Sequence, residues 1–171
     1  PPDRDGYEPR MLELDHRRKL PPTRHAAFRP LLRGARRFLP LVDRLEASAR
    51  ETPAGRRRVL DAFLTVWGSV IDAHLRATEE LLMPVTLDPE IEQRARTEQR
   101  LLRSMANDGF RVRSDPDPVW IANFARKVRR YLDWEERSWF PRIERSVAAD
   151  RLRALENAIR RHEGAHHRSD A

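Results

Sequence analysis

At 171 residues and 20.1 kDa the chain has the size of a single domain, long enough to bury one core of its own. It holds no cysteine, which excludes disulfides, thiolate metal sites, iron–sulfur clusters and a cysteine nucleophile, so any metal must use nitrogen and oxygen ligands. With 39% hydrophobic and 36% charged residues, a net charge of +7 and a mean hydropathy of -0.78, it reads as a helical protein with a heavily solvated surface.

Residues 1–22 form an N-terminal arm punctuated by Pro1, Pro2, Pro9, Pro21 and Pro22, with room for at most a short helix at MLELDHRRKL. The arm shows no basic-then-apolar leader, and no apolar run in the chain approaches the length that spans a bilayer. The expected setting is therefore cytoplasmic, with no membrane.

The body is expected to begin near Thr23, a suitable N-cap, and to extend over 23–145. Four segments carry apolar residues at steps of three and four, the period of a helix stripe. The first runs through Phe28, Leu32, Ala35, Leu39 and Val42, with Pro30 and Pro40 inside it, so the helix could start at Pro30. The second holds Leu60, Leu64, Trp67 and Ile71; the third Ile91, Ala95, Leu102 and Ala106; the fourth Ile121, Phe124 and Val128. Breakers at 51–55, 87–90 and 107–118 separate them. Four amphipathic helices with short or moderate loops predict an all-α, up-down-up-down four-helix bundle. A weaker stripe at Leu152, Leu155 and Ile159 predicts a short C-terminal helix within 146–171, packed on an end or side of the bundle and ending in a basic tail.

Extending each stripe by the same rule brings polar residues onto the buried faces. His25 precedes Phe28; His74 and Thr78 follow Ile71; Gln99 lies between Ala95 and Leu102; Tyr131 and Glu135 follow Val128. Burying a polar group without partners costs about 1–3 kcal/mol, so these side chains must meet each other, water or a ligand. Facing helices that converge histidines and carboxylates are also how bundles build metal sites.

Two phrases reinforce the pattern: AHLRATEELLMP at 73–84 and YLDWEERSWFP at 131–141, each passing a pair of glutamates and an apolar patch before a proline. With EQRLL at 98–102 they resemble the hemerythrin-like (HHE cation-binding) family over roughly 23–145. The resemblance implies a four-helix bundle around a non-haem di-iron centre. It aligns His25 with the family's first histidine, with His16 a second candidate, and His74 with the histidine of the second helix. Thr78 then stands where a glutamate is expected, Gln99 and Arg103 at the third helix's one or two histidines, Tyr131 at the fourth helix's histidine, and Glu135 at its carboxylate. Half the ligand set is replaced, which implies a degenerate site without di-iron chemistry.

Three functional readings stay open at this point. In the first, the chain is a non-catalytic binding or regulatory module for a protein or small-molecule partner, with no cofactor, and His74 is a neutral histidine hydrogen-bonded to Tyr131 or Gln99. In the second, His25, His74 and Glu135 hold one non-haem iron or zinc ion for oxygen, nitric oxide or redox sensing. In the third, the arginines bind nucleic acid or another anionic partner, as a sequence pI of about 10.9 allows. Against the third, the basic residues, all arginine except Lys19 and Lys127, are dispersed among 27 acids, and the densest run, Arg56-Arg57-Arg58, lacks interleaved aromatics.

Smaller signals have plain structural readings. Glu79 and Glu136 could reach round their helices as ligands, or pair with arginines such as Arg76 and Arg137. Tyr131 could be a phenolate ligand or simply a core aromatic. Trp67, Trp120, Trp134 and Trp139 read as packing residues, and His162, His166 and His167 as a helical cluster able to hold a surface metal. No Gly-rich phosphate loop or nucleophile motif is present, so no catalytic residue is assigned.

Overall fold

The structure is a computed structural model that describes residues 25–169, with side chains through residue 162. The arm helix, His16, the Thr23 cap and the side chains of His166 and His167 lie outside the described residues. Those residues are helical throughout apart from short connections, with no strand among them. None of the described helices is long and apolar enough to cross a membrane.

Three helices start on the same device, a side-chain cap followed at once by proline. Thr52 Oγ1 accepts from the Gly55 N–H at 3.2 Å ahead of α2 (Pro53–Val66), counting as α1 the helix Arg29–Ser48. Asp88 Oδ1 accepts from Glu90 and Ile91 ahead of α4 (Pro89–Val112), and Asp117 Oδ1 accepts from Val119 ahead of α5 (Pro118–Trp134). The cap satisfies an exposed backbone donor, and proline occupies the one turn where its missing N–H is no loss. Pro30 sits in the first turn of α1 for the same reason; Pro40 remains inside that helix, on its exposed side.

The second rod, 53–81, is interrupted. Between α2 and α3 (Ala73–Leu81) lies a π-helical segment, Trp67–Asp72. A second one, Glu135–Trp139, separates α5 from α6 (Phe140–Ser146). A π turn admits one extra residue, and such turns are frequent at functional sites.

Helix α1 packs against α2 and α5, and α4 packs against the same two. The buried stripe of α1 differs from the expected one: Leu31, Ala35, Phe38, Val42 and Leu45 are sealed, whereas Leu32 and Leu39 are only half buried. Both stripes have helical spacing, and the larger Phe38 and the continuation to Leu45 decide which of them faces inward. One end of the core is an aromatic cluster in which Phe63 meets Phe38 at 5.0 Å and Phe124 at 5.4 Å, with Trp67 against Phe124 at 5.5 Å. Gly109 on α4 lets that helix approach: a Cβ there would stand 3.1 Å from Trp120 and 3.2 Å from Leu64. Further along, Phe28 stacks on Phe140 at 5.0 Å and Trp134 on Trp139 at 5.6 Å.

The C-terminal helix is longer than expected. Helix α7 (Ala149–Ser169) has 21 residues and buries Leu152, Leu155 and Ile159 against α1, α3 and the 3-10 turn Ala26–Phe28.

Candidate functional site

Apart from His25, which is only half buried, the polar positions read from the stripes are buried, and most of them meet. Thr78, Gln99, Tyr131 and Glu135 are at most 2% exposed and His74 is 8% exposed. His74, the second residue of α3, places Nε2 2.7 Å from Oε2 of Glu135, the first residue of the second π segment. From α4, Gln99 donates through Nε2 to Thr78 Oγ1 and to the Tyr131 hydroxyl, both at 2.9 Å. Thr78 passes its own proton to the Leu75 carbonyl at 3.0 Å. That leaves the threonine oxygen as an acceptor and fixes which end of the Gln99 amide points toward it.

Electrostatics follow from burial and from Glu135. Burial opposes charge on His74, but attraction to the Glu135 carboxylate and the hydrogen bond between them outweigh it and raise the histidine's pKa. Burial, reinforced by the same carboxylate, holds the Tyr131 phenol well above its ordinary range, so it stays protonated. Two buried oxygens in the cluster, Glu135 Oε1 and Gln99 Oε1, have no hydrogen-bond partner among the described residues.

The expected triad is only partly gathered. His25 does not join His74 and Glu135: it ends the chain's approach to the first 3-10 turn, where its Nδ1 accepts from the Ala27 N–H at 3.1 Å, and its ring meets Phe28 edge-on. Among the described residues no three of His, Cys, Asp and Glu stand close enough to hold a metal ion. A di-iron centre needs bridging carboxylates and several imidazoles, whereas this cluster offers one of each plus an amide, a phenol and an alcohol. Those residues do not fit that group.

The flanking acids pair across helices rather than locally. Arg103 on α4 joins Asp72 and Glu79 at 3.0 Å each, and Glu136 takes Arg36 of α1 at 2.9 Å. Arg76 and Arg137 instead turn back to Asp72 and Asp133, four residues earlier on their own rods, the spacing at which helical side chains face each other. Trp67, Trp134 and Trp139 are buried in packing; Trp139 Nε1 donates to Thr86 Oγ1 at 2.9 Å and Arg94 lies 4.6 Å over the Trp134 ring.

One feature escaped the sequence reading altogether. Beside His74 a cleft of about 460 Å³ opens between α1, the first π segment, α3 and α7. Leu31, Phe38, Leu41, Val66 and Val70 give it apolar walls, Arg33 and Arg37 come from α1, and His162 closes it from α7. His162, expected in a surface metal cluster, has Nε2 3.6 Å from Glu80. The only signal for the cleft was a set of small residues facing one another, Gly34 against Ala73 and Ala77. The chain matches no family model, no curated protein and no solved structure.

Proposed function

We propose that the chain is a diverged hemerythrin-like four-helix bundle, its rods being α1, residues 53–81, α4 and α5, in which a hydrogen-bonded polar cluster takes the place of the di-iron centre. It works as a non-catalytic binding or regulatory module. The observation that carries this reading is the pairing of His74 with Glu135 at 2.7 Å, with Gln99 locked between Thr78 and Tyr131. Residues at ligand positions that bond to one another in this way form a cluster that needs no metal to hold it together. Supporting it further, many arginines, including Arg36, Arg103, Arg129 and Arg142, are engaged by carboxylates, so the basic surface is largely compensated rather than gathered into a nucleic-acid stripe. Protein expressed in iron-supplemented medium should purify with far less than one iron per chain. Near two irons per chain, with a ligand-to-metal absorption band, would reject the reading.

A second reading, one iron or zinc ion, draws on the unpartnered oxygens Glu135 Oε1 and Gln99 Oε1. One imidazole and one carboxylate fall short of the three protein ligands such sites ordinarily use. Titration of the native chain and His74→Ala with iron(II) and zinc decides it: equal, weak binding to both removes the metal.

A further inference from the structure

The cleft beside His74 is built like a ligand site, and it rests on the reading above, because it uses the His74 atom that Glu135 leaves unused. Nε2 is committed to Glu135. Nδ1 makes no hydrogen bond among the described residues, and His74 is one of the residues that line the cleft. A polar ring more than nine-tenths buried thus forms part of the wall of a mostly apolar space.

Gly34 supplies an independent observation. It lies inside α1, where glycine is less stable than alanine, and its φ is not positive, so no turn requires it. Nor does packing: a Cβ at Gly34 would meet nothing within 4 Å, in contrast to Gly109, which a Cβ would press against Trp120 and Leu64. What the missing side chain preserves is open volume, opposite Ala73 and Ala77 on α3. A volume of about 460 Å³ lies within the range of small-ligand pockets.

The charge pattern narrows the occupant. Exposed Arg37 lines the cleft with Arg33, and among the described residues no carboxylate lines it. Protonated on both nitrogens, the His74 ring can donate to Glu135 on one side and to an acceptor in the cleft on the other. We propose that this cleft binds a small organic acid with an apolar tail, its carboxylate bonded to His74 Nδ1 and drawn in by Arg37, its tail against Leu31, Phe38, Val66 and Val70 over Gly34. Charge-assisted bonds supply orientation, and the walls supply most of the affinity.

Calorimetric titration of the full chain with octanoate, octanol and acetate tests this. Octanoate should bind saturably at one site; octanol, with the tail and no charge, should bind at least about tenfold more weakly, and acetate, with the charge and no tail, not measurably. His74→Gln and Arg37→Ala should each weaken octanoate, His74→Gln by about tenfold or more. Gly34→Leu should abolish binding while circular dichroism shows an intact helical fold. Octanol binding as tightly as octanoate, a folded Gly34→Leu binding octanoate unchanged, or Arg37→Ala and His74→Gln both without effect would overturn the proposal. An iron-free chain that ignores octanoate loses this inference alone; a chain carrying two irons loses the function proposed above as well.

Discussion

The two proline-ended phrases occupy equivalent places on the second and fourth rods, and the structure joins them crosswise. His74, early in the first phrase, bonds Glu135, four residues into the second; Tyr131, which opens the second phrase, reaches through Gln99 to Thr78, four residues on from His74. The links are chemically unequal. One is an imidazole–carboxylate pair in direct contact, the other a neutral relay through an amide. Two similar stretches of helix can therefore hold different chemistry, an imidazole–carboxylate pair next to a cleft on one side and a neutral relay sealing the interior on the other.

Removing the charged link should cost most. Glu135→Ala leaves His74 buried beside an empty space, and breaking a buried pair in this way typically costs about 3 kcal/mol or more; the urea midpoint should fall accordingly. Tyr131→Phe breaks the neutral relay, taking from Gln99 Nε2 one of its two acceptors, for an expected loss of about 1–2 kcal/mol by the same measurement. Should the two variants lose equally, the distinction between the links would fail.

A pH series sharpens the contrast with a smaller effect, because deprotonation at Nδ1 leaves the Nε2–H bond to Glu135 in place. The folded state raises the His74 pKa, so the stabilisation is fully present below the unfolded value of roughly 6.5 and is lost as pH rises through the folded value. As pH rises above roughly 6.5 the wild type should lose stability relative to His74→Gln. Parallel curves for the two proteins would assign the titration elsewhere. Smallest of all, Gly34→Ala should stabilise by roughly 0.5–1 kcal/mol, since alanine is the better helix former and its methyl enters open space.

The helices were legible because caps, prolines and the three-four period all act within a few residues of one another. The polar cluster was legible for the same reason: His74, Thr78, Gln99, Tyr131 and Glu135 continue apolar stripes, so whatever buries Ile71 or Val128 buries them too. Features set by competition or by distance were not. Leu31 and Leu32 begin rival stripes on α1, and only packing against α2 and α5 selects between them. Glu79 and Glu136 find arginines on other helices, which local spacing cannot reveal. His25 keeps to its own turn because a backbone N–H two residues away is a nearer partner than any interior group. The cleft needs α7 to reach back to His162 beside α3, a contact across nearly ninety positions of chain.

The π segments carry a further consequence. Each adds one residue to a rod, and one residue is roughly 100° of rotation about the axis. A π turn absorbs that residue without passing the rotation on, so deleting a single residue within 67–72 would restore an unbroken α-helix with the ring of His74 still turned toward Glu135, whereas winding the same residues as plain α-helix would swing it away like a dial turned by one notch. The chemistry presented to the interior is thus aimed by the winding of the segment ahead of it, and a rod can take in one codon without turning any side chain that takes part in it.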